Sequence, residues 1–387
     1  MLFAAAGSWP QFGGPGRDFL VPGKVEGKPW PAGGPRVLWE RPLGDGYASF
    51  VTSGGPLYTM YRRGSDDVVI ALDPASGKTI WETPLAAAHG PGMNVEAGPG
   101  PHSTPLLANG RLFVTTVMGR LAALDVKTGK VLWSQELWTK HNGNKLERGY
   151  ASSPLAYKDT VIVPVGGNGR ALMAFRQSDG SPAWSAGDGR NSYSSPISVR
   201  DQIVIFLAKE VIGIDPATRA TRWRIPHQTQ FDIHAATPTW CEAEGVLVIS
   251  SGYDGGARGI AITADGAREL WAHKRLRVHH GNMACREGVV YGSSGDFGPA
   301  PFTAIDAKTG KVLWQDRAFS KANFILADDQ AFVTDDDGSV AVAQVSREGL
   351  KVISEAQLLK ANSWTVPMVH NGRLFVRDRH KALAIGL

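Results

Sequence analysis

Short apolar runs alternate with polar turns along nearly the whole chain of 387 residues. Residues 123–133 read ALDVKTGKVLW, and residues 304–314 repeat this pattern as AIDAKTGKVLW. Each copy joins an apolar run to a second run ending in Trp through an Asp-x-x-Thr-Gly turn. Asp accepts hydrogen bonds from backbone N–H groups two residues later, and Gly adopts the positive φ that closes a short hairpin. The unit therefore predicts a β-hairpin.

Looser copies of this hairpin occupy residues 71–81, 174–184, 213–223 and 261–271. The Trp at the end of each copy recurs at intervals of roughly 40–50 residues, which is typical of four-stranded propeller blades. Between each Trp and the next turn lie two further strand-like runs, the first often beginning at Ser-Pro or Thr-Pro. Two runs and one hairpin make one antiparallel blade. We assign the recurring Trp residues to contacts between blades, not to a ligand site.

The blade count predicts how the ring closes. Six units end in Trp, and a seventh, at residues 340–352, lacks it. The last three runs of the chain have no fourth strand, while residues 37–40 form a strand-like run without a hairpin before it. If this N-terminal strand completes the last blade, no sheet edge is left open. We predict an all-β fold, an eight-bladed β-propeller of four-stranded antiparallel blades closed by the N-terminal strand.

The same reading divides the chain into three parts. We expect residues 1–8 to be a signal-peptide remnant or a flexible start. Residues 9–35 form an N-terminal leader that packs on the propeller, and residues 36–387 form the single propeller. We expect the protein to be periplasmic or secreted.

Composition excludes some functions. The net charge of +5 is spread along the chain without a Lys/Arg block, so nucleic acid is not an expected partner. No apolar run approaches the roughly 18 residues of a transmembrane segment. Cys241 and Cys285 lie in equivalent regions of consecutive repeats. We expect two buried free thiols, because equivalent positions on adjacent blades diverge toward the rim, with a disulfide as the alternative.

The Ala-x-Asp-x-x-Thr-Gly-Lys-x-x-Trp unit resembles the tryptophan-docking motif of eight-bladed quinoprotein propellers. That superfamily includes pyrroloquinoline quinone (PQQ) dependent alcohol dehydrogenases and the periplasmic propeller lipoprotein of the outer-membrane assembly machine. Residues 9–18, WPQFGGPGRD, look like the leader of secreted bacterial PQQ-like repeat proteins. The resemblance spans residues 9–387 and implies the fold, whereas members of the family differ in function.

Two departures from the dehydrogenases argue against PQQ as a cofactor. Those enzymes carry two adjacent cysteines beside the quinone, and here the two cysteines are far apart in sequence. There is also no Cys-x-x-Cys-His haem site. The family's calcium ligands have no matching positions, so the resemblance assigns no ligand set.

Candidate chemistry lies on one face of the predicted propeller. The segments between blades and the loops between second and third strands open there, and eight of the ten histidines fall in or beside the former. Loops on a rigid scaffold are where function concentrates. Residues just before each inner strand should rim the channel and form a pocket for a saccharide or aromatic small molecule, with solvated loop residues as the alternative. These residues are Tyr47, His102, Tyr150, Tyr193, His234, His280, Asn282, Asn323 and Trp364.

Two loops bring a carboxylate to this rim. Residues 277–282 face a loop at residues 292–299, which would place imidazoles near Asp296 and orient a general base. Asp254 sits in the equivalent loop one blade earlier. Side chains alternate along an extended segment, so we expect at most one of His279 and His280 to point inward.

The pocket leaves three functional hypotheses open. The first is an exported propeller that binds a small molecule or saccharide. The second is an enzyme using the same pocket, and whether the chain is an enzyme stays open. Its metal-dependent form would use His102, His234 and His280, converging from separate blades on one divalent ion. The third is an envelope protein-interaction scaffold.

The enzyme hypothesis has an alternative form, an acid–base lyase. His280, His234, Tyr193 or Tyr150 would serve as acid or base. Arg277 or Arg148 would neutralise the carboxylate of a uronate substrate.

Overall fold

A computed structural model gives the structure of the chain and describes residues 8–264, 266–296 and 300–387. Within these ranges 31 β-strands form eight antiparallel sheets arranged as an eight-bladed β-propeller, which confirms the predicted fold class. Of residues 1–8, expected to be a signal-peptide remnant or a flexible start, residues 1–7 lie outside the described ranges. In the described part of the chain, no helix is long and apolar enough to span a membrane.

The blades follow one another in chain order. The first three blades contain β2 (Leu57–Arg63), β3 (Asp66–Leu72) and β4 (Thr79–Ala86); β5 (Leu106–Ala108), β6 (Arg111–Thr115), β7 (Arg120–Asp125) and β8 (Val131–Glu136); and β9 (Leu155–Tyr157), β10 (Thr160–Pro164), β11 (Leu172–Arg176) and β12 (Pro182–Ala186). The fourth and fifth contain β13 (Ile197–Val199), β14 (Gln202–Phe206), β15 (Glu210–Ile214) and β16 (Thr221–Pro226); and β17 (Thr239–Cys241), β18 (Val246–Ser251), β19 (Gly256–Thr263) and β20 (Gly266–His273). The sixth and seventh contain β21 (Met283–Arg286), β22 (Val289–Ser293), β23 (Phe302–Asp306) and β24 (Val312–Asp316); and β25 (Asn323–Ala327), β26 (Gln330–Thr334), β27 (Ser339–Val345) and β28 (Leu350–Gln357). The eighth contains β29 (Met368–His370), β30 (Arg373–Arg377), β31 (Lys381–Gly386) and β1 (Val37–Pro42).

The ring closes as the sequence predicts. Strand β1 pairs antiparallel with β31, with Trp39 opposite Ala384 and a bulge between Val37 and Trp39. The two ends of the chain therefore share the eighth blade. The first blade differs from the expected four strands, because its innermost strand is reduced to a bridge between Val51 and Tyr58.

The repeated Trp and turn glycine hold neighbouring blades together. The Trp81 indole N–H donates to the Val126 carbonyl, at 3.1 Å, in the turn of the next blade. A β-carbon on Gly129 would come within 2.5 Å of the Trp81 ring, and the φ of 72° at Gly129 also favours glycine. Trp133 and Trp271 dock on the following turn in the same way, as the hydrogen bonds to the Gln177 and Ala307 carbonyls show.

The expectation of free thiols is wrong. Cys241 on β17 and Cys285 on β21 form a disulfide between the innermost strands of neighbouring blades, with their Cα atoms 5.5 Å apart. Two residues earlier on each strand, the Thr239 hydroxyl donates to the Met283 carbonyl at 3.0 Å. Innermost strands converge near the axis, so these equivalent positions lie within reach of each other instead of diverging.

The N-terminal leader crosses one end of the central channel. Trp9 pairs with Thr52 of the first blade, and the Pro10 carbonyl accepts the Leu107 N–H of the second. The leader then reaches the seventh blade, where it bridges Leu326 in parallel through Leu20. The leader is therefore built into the propeller core.

Candidate functional site

A cavity of about 1020 Å³, including its open mouth, lies on the propeller axis. Its walls come from the segments that enter the innermost strands, so each blade contributes at an equivalent position. Small residues at these positions, such as Ser153, Ser195 and Thr237, keep the cavity wide. Seven of the expected rim residues line it together with Arg148: Tyr47, His102, Tyr193, His280, Asn282, Asn323 and Trp364.

Four rings form a continuous stack along one wall. His102 stacks on Tyr47 with ring centroids 5.8 Å apart, and Tyr47 stacks on Trp364 at 5.2 Å. Trp364 stacks on His280 at 4.5 Å with the two rings within 4° of parallel. The Tyr47 hydroxyl donates to the Ala97 carbonyl at 2.6 Å, which fixes the second ring. The wall is thus apolar and held in place before any ligand arrives.

The leader forms the floor of the cavity. Phe12 and Phe19 line it and contact each other edge to face, with centroids 5.2 Å apart. Arg17 lies between these two residues in the sequence and is buried. Its guanidinium donates to the carbonyls of Ser153 and Pro154 at 2.6 and 2.8 Å. Because the leader is anchored in this way, the central channel becomes a pocket with one open end.

Unpartnered polar atoms face the cavity. His279 is 2% exposed, and neither of its ring nitrogens has a hydrogen-bond partner among the described residues. The Nδ2 of Asn323 is buried and unpartnered within the same ranges. Buried polar groups are normally hydrogen-bonded, so these atoms are available for hydrogen bonds to a ligand. Lys321 lies nearby, with its Nζ 5.9 Å from the Trp364 ring centroid.

The cavity keeps its imidazoles neutral. Burial, together with the smaller effect of the nearby Lys321 charge, lowers the pKa of His279 to about 4. Burial also lowers the pKa of His102 to about 4 and that of His280 well below its ordinary value. Neutral imidazole has one N–H donor and one acceptor nitrogen, so these rings can pair with hydroxyl groups at neutral pH.

Five expected site residues lie away from the cavity lining: Tyr150, His234, Asp254, Arg277 and Asp296. The Tyr150 hydroxyl is fully buried and donates to the Pro164 carbonyl at 2.8 Å. His234 is buried against Phe206, with ring centroids 3.9 Å apart. Asp254 is exposed and pairs with Lys274 at the surface.

The structure does not bring the proposed metal ligands into one group. In the described ranges, one set of three His, Cys, Asp or Glu ligand atoms lies within 4.8 Å of one another, and it is Cys241, Glu244 and Cys285. The sulfur atoms of that set are joined in the disulfide. His102 and His280 share the cavity, whereas His234 does not line it.

The expected approach of two loops is present. Val278 bridges Gly295 in parallel, and the Arg277 guanidinium lies 3.9 Å from the Asp296 carboxylate. That carboxylate accepts the Tyr253 backbone N–H at 2.8 Å and makes no hydrogen bond to the unpartnered ring of His279. Residues 297–299 of the loop lie outside the described ranges.

His279 and His280 both line the cavity, so the expectation that only one points inward is wrong. The chain bends at these two residues instead of continuing as a strand, which removes the alternation of side chains. Their rings lie 3.9 Å apart.

Sequence reasoning also missed Phe12, Phe19 and Lys321. Two aromatics in a Gly-rich leader that no repeat explains were the available clue.

A second cavity of about 1090 Å³ opens beside the first, above the third, fourth and fifth blades. Arg148, Tyr193, Ile233 and Tyr253 line both cavities, so the two are adjacent. The site therefore continues from the axis toward the rim of the propeller.

Comparison with known proteins supports the sequence resemblance. A protein-family model described as outer membrane protein assembly factor BamB matches residues 65–316 and 260–352. The outer membrane protein assembly factor BamB of Yersinia pestis is 22% identical over 333 residues, which cover 81% of this chain and 81% of that protein. The Burkholderia pseudomallei protein of the same name is 25% identical over 355 residues, covering 88% and 77%.

Quinoprotein dehydrogenases also match. A lanthanide-dependent methanol dehydrogenase of Methylacidiphilum fumariolicum is 37% identical over 84 residues, which cover only 20% of this chain and 13% of that protein. The structure of a europium-containing methanol dehydrogenase superposes with a TM-score of 0.72 and 14% identity, covering 96% of this chain and 90% of the other. A quinohemoprotein alcohol dehydrogenase from Comamonas testosteroni gives 0.69 and 14%, covering 100% and 81%. Likeness at this identity shows the fold alone.

Proposed function

This chain belongs to the family of PQQ-like eight-bladed propellers described by the outer membrane protein assembly factor BamB model, and on that scaffold we propose that its axial cavity binds a small molecule, a saccharide in particular. One observation carries the proposal. His279 presents two unpartnered ring nitrogens to a cavity walled by four stacked rings. A pyranose ring has an apolar C–H face for the aromatic wall, and its hydroxyls can donate to and accept from neutral imidazole.

The polar atoms around the cavity favour an acceptor-rich saccharide. The unpartnered amide nitrogen of Asn323 is a donor, and Lys321 and Arg148 bring two positive charges near the ligand. A sugar acid such as galacturonate supplies hydroxyls and one carboxylate. Partial exclusion of water from the cavity strengthens the attraction between that carboxylate and the cations.

The test is calorimetric titration with D-galacturonate and D-galactose, using the wild type and the variant His279→Leu. We expect galacturonate to bind and the variant to bind it about 5- to 20-fold more weakly, as loss of one or two hydrogen bonds implies. The free energy of unfolding should not fall, because the lost nitrogens have no protein partner.

His227→Leu is the matched control. The His227 ring contacts the Ser251 hydroxyl at 2.8 Å and accepts from the Arg258 guanidinium at 3.1 Å, and it does not line the axial cavity. We expect this variant to lose about 1–3 kcal/mol of stability and to keep its affinity for galacturonate. Absence of saturable binding to either sugar in the wild type would overturn the proposal, as would unchanged affinity in His279→Leu.

A second candidate is an envelope protein-interaction scaffold. It is favoured because two relatives named as outer membrane assembly factors align along about four-fifths of this chain or more. The disulfide between Cys241 and Cys285 fits an oxidising compartment such as the periplasm. Co-purification from cell envelopes tests this role: retention of a specific envelope protein by both wild type and His279→Leu supports it, and no retained protein contradicts it.

A further inference from the structure

The second cavity differs in character from the axial one. Most of its wall comes from three blade-to-blade loops, with Ala208 and Tyr253 added from loops within blades. It carries charged side chains where the axial cavity carries stacked rings. Because the two cavities share four lining residues, a ligand in the axial cavity can extend into the second one without leaving the protein surface. The chemistry of the second cavity therefore indicates which kind of group is joined to the first ring of the ligand.

Phe231 lines the second cavity and is unusually open to solvent. Its side chain is 55% exposed, the highest value among the exposed large hydrophobic residues of the described chain, and the others are aliphatic. A tight turn holds it in place, because Thr229 accepts the Asp232 N–H through its carbonyl and the Ile233 N–H through its hydroxyl. The edge-to-face contact with Tyr253, at 4.9 Å and 85°, supports the ring. An open, fixed aromatic face is a platform for a flat apolar surface.

Positive charge surrounds this platform. Lys145, Arg148 and Arg190 line the second cavity with Glu147, while Asp232 is already paired with Lys209 at 3.6 Å. Arg190 is exposed to solvent, and its guanidinium makes no hydrogen bond or ion pair with any described residue. An arginine fork without a protein partner fits a carboxylate or another planar anion.

We propose that the two cavities together bind an acidic oligosaccharide, with one sugar ring in the axial cavity and a following ring on Phe231. Arg190 pairs with the carboxylate of the second residue, and Arg148, which lines both cavities, lies between the two rings. This inference rests on the proposed function, since it extends the same site along the chain of the ligand. An oligosaccharide fits better than an acidic peptide, because a pyranose offers a C–H face to Phe231 and acceptor groups to side-chain donors.

The experiment compares D-galacturonate with tri-galacturonate in titrations of the wild type, Phe231→Ala and Arg190→Gln. We expect the trimer to bind the wild type at least tenfold more tightly than the monomer. Phe231→Ala should remove most of that gain and leave monomer affinity unchanged. Arg190→Gln should reduce the gain and weaken its dependence on salt, because a screened charge pair is lost.

Two surface changes serve as matched controls. Ile80→Ala removes another exposed apolar side chain, on the outer strand of the first blade. Arg176→Gln removes a cation at the end of β11, next to the turn that leads to β12. Both should keep wild-type affinity for the trimer.

The outcomes separate the two proposals. If neither sugar binds, the proposed function is overturned. If the monomer binds and the trimer binds no more tightly, or if Phe231→Ala keeps the full gain, only the extended site is overturned. Binding of poly-glutamate that depends on Phe231, without binding of the trimer, would also overturn it in favour of a peptide.

Discussion

Trp39 tests whether the shared eighth blade closes the ring. It sits on β1, is 8% exposed and packs against Phe375 with centroids 6.0 Å apart. Its indole N–H donates to the Pro74 carbonyl in the first blade at 3.0 Å, and a β-carbon on Gly77 would come within 2.7 Å of its ring. Trp39 therefore joins the eighth blade, through the N-terminal strand, to the first.

The expected cost can be worked out from these contacts. Trp39→Ala removes a buried indole and one hydrogen bond, so we expect the free energy of unfolding to fall by about 3–5 kcal/mol. Trp39→Phe keeps most of the packing and loses the hydrogen bond, and it should cost about 1 kcal/mol. The assay is equilibrium denaturation in guanidinium chloride, followed by far-UV circular dichroism.

Leu132→Ala is the control for this series. Leu132 also lies on an outer strand, but its side chain is 45% exposed. Substitution at this surface position should change stability by no more than about 0.5 kcal/mol. A loss below about 1 kcal/mol in Trp39→Ala, similar to the control, would refute closure of the ring through Trp39.

Three further predictions concern the disulfide, the floor and the acid response. Replacing Cys241 and Cys285 by Ser should lower stability by about 2–5 kcal/mol, and an unfolding midpoint insensitive to reductant in the wild type would contradict their pairing. Arg17→Met leaves two buried carbonyls unpaired, so it should lower the free energy of unfolding by about 2–5 kcal/mol and make the leader easier to cleave by protease. Wild-type stability together with a leader that resists the protease as in the wild type would contradict the anchoring role of Arg17. His102 and His279 have a pKa of about 4 in the fold against 6.5 ordinarily, so the unfolded chain binds more protons between these values. The stabilisation from these neutral rings should be complete above pH 6.5 and be lost as the pH falls toward 4, with each histidine contributing a slope of up to about 1.4 kcal/mol per pH unit. A free energy of unfolding that does not change between pH 7.5, 5.5 and 4.5 in denaturation experiments would contradict this.

The fold was predictable from sequence because each blade repeats a local rule. The Asp-x-x-Thr-Gly turn is formed by residues adjacent in the sequence, and the Trp after it packs on the turn of the next blade, as the contact of Trp81 with Gly129 shows. The rim was predictable in part for the same reason, since Tyr47, His102 and Trp364 hold equivalent positions before their inner strands.

The rest depended on distances that repeats do not encode. Tyr150 holds a rim position, yet its ring turns into the blade because the Pro164 carbonyl accepts its hydroxyl. Pairing of Cys241 with Cys285 depends on how closely two inner strands converge. The floor made by Phe12 and Phe19 belongs to a leader outside every repeat, so its path across the channel had no internal precedent.

A crystal structure of the protein soaked with D-galacturonate tests the central claim most directly. We predict one sugar ring in the axial cavity, lying against Trp364 and within hydrogen-bond distance of His279. An empty axial cavity at saturating sugar, or a sugar bound only elsewhere on the propeller, would contradict the assignment of this cavity as the binding site.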